Sequence, residues 1–334
     1  MKYRPLGATG LQVSEIGFGA WGIGGARQGA MGYGPTDDEQ SKRALRRAFD
    51  SGINFYDTAD LYGFGYSEEL IGEVFQGVRD KVVIASKVGI IDSSGAQNFS
   101  PKHIRDSLEG SLRRLRSDYL DLYQLHDPPM GLLLEDPSVL EMLRHFQREG
   151  KIRAFGVSLH SPEDGLTAIH ELKIACLQFN FSLVDQRGLK NGLMDFCRQH
   201  KTGVIVRTPL CFGFLADTSL KSRDFDAQDH RRRWSRDQVN LWSDAGSLFS
   251  AVLDDRRQTA AQKALRFCLS FKAVSTVIPG MLCEEQVDEN VLASDMGTLG
   301  VAEMAKIEKI FKEHAFFLGL KGTVTCDLKP ETKK

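Results

Sequence analysis

The alternation of two residue patterns constrains this chain more than any other feature. Short apolar runs rich in β-branched residues occur at 53–56, 82–86, 120–125, 152–157, 176–179, 204–206 and 275–278, and 16–18 reads as the first of the series. Near-continuous apolar runs of this length suit strands buried on both faces of a parallel sheet. Between them lie amphipathic stretches of helical period at 38–51, 67–75, 101–115, 137–149, 162–172, 189–200 and 259–271. Several open with a capping side chain ahead of an acid or a proline, as in Thr36-Asp37-Asp38, Ser100-Pro101 and Ser161-Pro162. Eight strands each followed by a helix make an α/β fold, the (β/α)8 TIM barrel, the economical architecture; a doubly wound sheet is the alternative.

Two stretches fall outside the alternation. Residues 1–15, with Gly7 and Gly10 among alternating apolar positions, predict a small β-hairpin ahead of the barrel. Residues 208–255 are polar and aromatic and separate the seventh strand from its helix, a length that usually signals a functional loop over the C-terminal face. A chain of 334 residues without a linker, low-complexity tract or repeat beyond the βα unit predicts one domain over 1–334, with a frayed tail from about 318.

Composition excludes several classes. The formal net charge of −1 recruits neither nucleic acid nor an anionic membrane. No apolar run reaches the roughly eighteen residues of a membrane span, and the first residues lack the apolar core of a secretory signal. The 6 cysteines form no C-x-x-C pair and read as reduced thiols, so a cytoplasmic protein is expected.

Gly17-Phe18-Gly19-Ala20-Trp21-Gly22 spells G-x-G-x-x-G, the dinucleotide fingerprint of a doubly wound sheet. That fingerprint must open a helix, yet Gly24, Gly25, Gly29, Gly32, Gly34 and Pro35 follow, so no helix is expected before about Thr36. A glycine-rich βα loop over a site is the better reading.

The chemistry lies elsewhere. Asp57 and Tyr62 run off the second strand, Lys87 ends the third and His126 ends the fourth. In a barrel these ends converge on one rim, where active sites are built. Singly, Asp57 reads as a turn cap, Tyr62 as a packed loop aromatic, Lys87 as a solvated strand end and His126 as a core histidine. Together they deliver a carboxylate, a phenol, an ammonium and an imidazole to one place. No histidine and cysteine spacing suggests a zinc site.

These segments resemble the Asp-Tyr-Lys-His tetrad of the aldo-keto reductase superfamily. The resemblance extends through Gly156-Val157-Ser158, Gln178, Pro209-Leu210, Gly213 and Ile278-Pro279-Gly280 with Gln286, Glu289 and Asn290. It implies an NAD(P)H-dependent carbonyl reductase, or the reverse alcohol dehydrogenase, acting on a small-molecule carbonyl or alcohol. Tyr62 would be the general acid, with Lys87 lowering its phenol from the usual value of about 10. Asp57 would hold Lys87, and His126 would orient the substrate oxygen. The resemblance places the cofactor against Gly19, Trp21, Asp57, Ser158, Gln178, Arg207, Thr208, Pro209, Leu210, Gly213, Leu215, Gly280, Leu282, Gln286, Glu289 and Asn290, and the substrate against Trp21, Tyr62 and His126.

The chain departs from the pattern in three places. Leu159 replaces an Asn common after Ser158, Arg207 replaces the aromatic platform under the nicotinamide, and Leu282-Cys283-Glu284-Glu285 lacks a basic residue for a 2′-phosphate. NADP(H) is therefore expected with little advantage over NAD(H). Phe64, Phe212, Trp234, Trp242 and the C-terminal tail are candidate pocket walls, and Arg231-Arg232-Arg233 resembles a phosphate-binding run but reads better as a solvated loop face. Two other functions fit a barrel with these residues: a cofactor-sensing subunit with little turnover, and an aldolase using Lys87 as a Schiff base. Borohydride trapping would reveal the latter.

Overall fold

The computed structural model describes residues 1–253 and 257–318. The expected tail from residue 319 onward, Cys326 and the end of the 208–255 stretch lie outside them. Two short strands, β1 (Tyr3–Pro5) and β2 (Gln12–Ser14), pair antiparallel as the expected hairpin. Eight strands follow: β3 (Phe18–Gly19), β4 (Phe55–Asp57), β5 (Val83–Val88), β6 (Leu120–His126), β7 (Ile152–Ser158), β8 (Cys176–Asn180), β9 (Gly203–Arg207) and β10 (Val274–Val277). All pair in parallel in sequence order. Parallel bridges Ile16↔Val277 and Gly19↔Gly280 join the two ends of the sheet and close it into the barrel.

The pleat sorts the inward positions into layers. Phe55, Val83, Ala85, Leu122, Ala154, Cys176, Ile205 and Ile278 form one apolar cluster inside the barrel, with Leu6, Leu11 and Val13 of the hairpin plugging its N-terminal end. Gly7 makes that plug possible: it adopts φ +56°, and a Cβ there would lie 2.1 Å from the Gly203 nitrogen. Two or four residues further along the strands the inward positions are polar: Asp57, Lys87, Gln124, His126, Ser158, Gln178 and Asn180.

Helix boundaries follow the capping signals. Asp37 accepts from the Gln40 amide at the start of Asp38–Asp50, Ser100 caps Pro101–Arg114 with Pro101 in its first turn, and Thr259 makes a capping box with Gln262. Ser161 instead donates to Glu163, and its helix begins at Asp164. The helix expected over 189–200 is broken by Gly192 at φ 78° into Arg187–Lys190 and Leu193–His200. The 208–255 stretch is less open than its composition suggests, because it contains the helix Arg236–Val252. Helices Met130–Glu135 and Val301–Glu313 were not apparent from the sequence pattern. After β3 come only two short 3-10 turns, Gly22–Gly24 and Arg27–Gly29, so the G-x-G-x-x-G run opens no helix. No described helix is long and apolar enough to cross a membrane.

Candidate active site

The four residues singled out from separate segments meet at the C-terminal rim. The Lys87 ammonium donates to Asp57 Oδ1 at 2.5 Å, to the Thr58 carbonyl at 2.9 Å and to Tyr62 Oη at 3.1 Å. It also lies 4.7 Å from the centre of the Tyr62 ring. The His126 ring stands nearly perpendicular to Tyr62, with centroids 6.1 Å apart. Strand register explains the meeting. Lys87 pairs with Gln124, one inward position before His126, and Asp57 pairs with Ala85, one inward position before Lys87.

Lys87 is completely buried and Asp57 is 2% exposed. A charge so placed is tolerable only when paired and hydrogen-bonded. The second carboxylate oxygen of Asp57 accepts from Gln178 Nε2 at 2.7 Å and Gln124 Nε2 at 3.1 Å. Gln124 was absent from the sequence-derived site, although it shares the inward face of β6 with His126; strand periodicity alone could have found it. Gln178, assigned by resemblance to the nicotinamide amide, here turns its own amide to Asp57.

Tyr62 is held by its loop. Its amide donates to the Ala59 carbonyl and its carbonyl accepts from the Ser67 amide. Gly63, at φ +59°, packs so tightly on Gly24 that a Cβ would fall 2.3 Å from the Gly24 oxygen. Gly24 of the glycine-rich loop thus backs the turn that carries the phenol.

Two opposing effects act on the phenol. Burial pushes the Tyr62 phenol above its ordinary value, and the Lys87 charge, which pulls it down, does not overcome that effect. Burial opposes the Lys87 charge, but Asp57 and Tyr62 outweigh it and hold the ammonium above its usual range. Burial drives His126 down to about 3, so its imidazole is neutral, and its Nδ1 has no hydrogen-bond partner among the described residues.

On the adjacent arc, the Arg207 guanidinium donates to the Leu159 carbonyl at 2.8 Å and Ser158 Oγ at 3.3 Å, and pairs with Asp127 at 3.3 Å. Against the pull of burial, Arg207 and His160 hold the Asp127 carboxyl well below the carboxylate range. Asp127 was another omission from the sequence-derived set. Thr208 donates to Asn180 Oδ1, and Thr208, Cys211 and Phe212 all adopt left-handed backbone, a conformation that costs non-glycine residues free energy and recurs at functional loops. Within this loop the Gly213 and Leu215 amides both donate to the Leu210 carbonyl. Pro209 follows Thr208 in the turn. On the closing seam the Gly19 amide donates to the Pro279 carbonyl, beside Gly280. Gln286 accepts from the Leu282 amide at 2.7 Å, Glu289 offers its backbone carbonyl to Gln262, and Asn290 is buried.

Of the candidate walls, Trp21 lies near Tyr62, at 6.5 Å between centroids, and Phe64 is 38% exposed. Trp234 and Trp242 are buried in an aromatic cluster with Phe212 and His230, Trp242 being carried against Trp234 by the helix Arg236–Val252 on which it lies. The arginine run is also more than a solvated face. Arg231 makes a two-pronged pair with Asp229 and stacks on Tyr33 and Phe225, whereas Arg232 is exposed. Asp229 and His230 join Gly32 through backbone contacts, tying this loop to the one after β3.

No group of histidine, cysteine, aspartate or glutamate suited to a metal occurs among the described residues. The sequence profile of the Aldo/keto reductase family matches residues 15–312. An aldo-keto reductase of Bacillus halodurans, solved in its holo form, superposes with a TM-score of 0.75 at 29% identity, covering 94% of this chain and 98% of that one. The L-glyceraldehyde 3-phosphate reductase of Escherichia coli K12 is 30% identical over 92% of both chains. The NADH-specific methylglyoxal reductase of the same organism is 29% identical over 92% of this chain and 99% of its own.

Proposed function

The chain belongs to the aldo/keto reductase family and is an oxidoreductase of carbonyl and CH–OH groups, and from that premise we propose that it reduces a small carbonyl compound with a nicotinamide cofactor, Tyr62 serving as the general acid. One observation carries the reading: a fully buried ammonium lies within hydrogen-bond distance of both a carboxylate and a phenol at the barrel rim. The residues present fit the cofactor. Ser158, Gln178 and Asn180 offer buried hydroxyl and amide groups on the same rim, and the unpartnered His126 Nδ1 leaves a polar atom to be satisfied there.

Bound at that rim, the cofactor supplies hydride to the carbonyl carbon. The protein's residues handle the other half of the reaction, a proton on oxygen. Burial keeps the phenol protonated at neutral pH, which suits a donor in the reducing direction. As Tyr62 gives up its proton, the adjacent ammonium stabilises the phenolate, a charge that would otherwise be costly in this pocket. Asp57, Gln124 and Gln178 hold that ammonium in place. The neutral His126 hydrogen-bonds the substrate oxygen without adding charge and fixes its approach.

NADP(H) is the cofactor favoured, with NAD(H) close behind. Leu282 and Cys283 provide no cation for a 2′-phosphate, and Glu284 engages Arg43 at 3.1 Å. A similar protein is NADH-specific. Free thiols at the described cysteines support a reducing compartment, the cytoplasm, and we read residues 1–334 as one domain. The test is oxidation of NADPH and NADH against a panel of aldehydes and ketones, with Tyr62→Phe as control. Turnover lost in that variant supports the reading. Binding of cofactor without turnover of any carbonyl would instead indicate a sensing subunit.

A further inference from the structure

Arg207 ends β9 at an inward position. Ile205, two residues before it, belongs to the apolar layer inside the barrel, and Arg207 itself pairs in register with the inward Asn180. From there its side chain reaches across β8 to the end of β7. Nη1 donates to Ser158 Oγ at 3.3 Å and Nη2 to the Leu159 carbonyl at 2.8 Å. Ser158 is the register partner of the inward His126, so the Nη1 end of the guanidinium faces the rim. Asp127, one residue beyond His126 and in left-handed backbone at φ 51°, meets the other end, at 3.3 Å from Nη2, with His160 3.8 Å from its carboxylate. The side chains of Arg207 and Asp127 are only 15% and 11% exposed, so little water lies between these charges and the site.

We propose that Arg207 makes the site discriminate between the two redox states of a nicotinamide cofactor, weakening its hold on the oxidised form relative to the reduced one and so favouring reduction. That role depends on the rim being the nicotinamide site. Tyr62 and His126 fix where a carbonyl oxygen can be held, on the arc of β4 to β6. A ring serving the carbonyl carbon must lie beside that point, and the inward groups of the remaining arc include Ser158, Asn180 and Arg207. The charge of the ring decides the sign. An oxidised nicotinamide carries a positive charge and a reduced one carries none. A guanidinium stays charged at any working pH, and it repels the first form while sparing the second, most strongly where water is excluded.

The carboxylates of the rim leave that repulsion in place. Asp57 is taken up by Lys87, Gln124 and Gln178, and Asp127 approaches Arg207 from the Nη2 end. Burial dominates the titration of both Tyr62 and His126, yet the Arg207 charge also reaches each of them and favours the deprotonated form. Its field therefore spans the space between the tetrad and β9. A weaker hold on the oxidised form also clears the site after each reduction.

The test is the ratio of dissociation constants, oxidised over reduced, measured by titration calorimetry with NADP⁺ and NADPH and again with NAD⁺ and NADH. The two forms of each pair share every contact beyond the ring, so phosphate and adenosine terms cancel in the ratio. Asp127 screens part of the cation, and Arg207→Met should lower the ratio about tenfold, ~1.4 kcal/mol. Asp127→Asn removes the screen and should raise it by a similar factor. Arg207→Lys keeps the charge and should stay within about threefold of wild type. A purely structural role for Arg207 would weaken both forms together and leave the ratio alone. Should Arg207→Met not fold, the double variant with Asp127→Asn leaves no buried charge without its partner, and its ratio should fall below those of wild type and Asp127→Asn. An unmoved ratio in the variant lacking the cation, or a ratio lowered by Asp127→Asn, overturns the proposal. Wild type that binds neither redox form overturns the nicotinamide reading with it, whereas binding of both forms with unmoved ratios in the variants overturns this proposal alone.

Discussion

Lys87→Met tests the buried ion pair on which the site depends. The substitution leaves the Asp57 carboxylate enclosed without its cation. Breaking a buried pair from one side typically costs about 3–5 kcal/mol. Asp57 keeps its bonds from Gln124 and Gln178, which favours the lower end of that range. Asp57→Asn is the mirror experiment. It strands an ammonium that retains the Thr58 carbonyl and Tyr62 oxygen as acceptors, and a similar cost is expected. The double variant removes both charges and should recover much of the loss, with a coupling of ~2–3 kcal/mol in the cycle. At about 2.1 cal/mol/K per residue, a chain of 334 residues has an unfolding entropy near 0.7 kcal/mol/K, so each single change should lower Tm by about 4–7 °C. Denaturant midpoints at pH 7 for the four proteins supply the measurement. Single variants within about 1 kcal/mol of wild type, or strictly additive effects, would refute a tightly coupled buried pair. In the oxidative direction, where the phenol must ionise, Lys87→Met should also displace the pH profile upward, because the charge that restrains the phenol is gone.

Three further outcomes follow from the same geometry. Tyr62→Phe should lose ~10²–10⁴-fold in kcat while binding cofactor normally by fluorescence titration, and a near-wild-type kcat would remove Tyr62 from the acid role. The preference for NADPH over NADH in kcat/KM should stay below about a hundredfold, roughly 2.7 kcal/mol, since Leu282 and Cys283 carry no charge; Glu284→Gln, by freeing Arg43, should raise it. Gly7→Ala should destabilise the chain by at least ~2 kcal/mol, measured by denaturant titration, because the new methyl would collide with the Gly203 backbone under the barrel at a left-handed φ.

Much of the fold is written locally in the chain. A run such as Val83–Ala85 is apolar because both faces of a barrel strand are covered, and capping residues such as Asp37 and Ser100 start helices by bonds within a few residues. Asp57, Lys87 and His126 stand where apolar runs end, so even the gathering of the tetrad at one rim could be foreseen. The signals that failed were the nonlocal ones. Trp234 and Trp242 read as loop aromatics until the helix Arg236–Val252 forms and its Trp242 packs on Trp234 and Phe212. Arg231 looks solvated until Asp229 and Tyr33 close on it. Residue types likewise set the sign of each interaction at Tyr62, an ammonium pulling the phenol down and burial pushing it up, but only packing sets which prevails, because desolvation depends on every neighbour that excludes water. Asp60 is the extreme case. In sequence it is an ordinary loop acid, and its meeting with Glu68 and Ser107, brought there by two different helices, belongs to the tertiary structure alone.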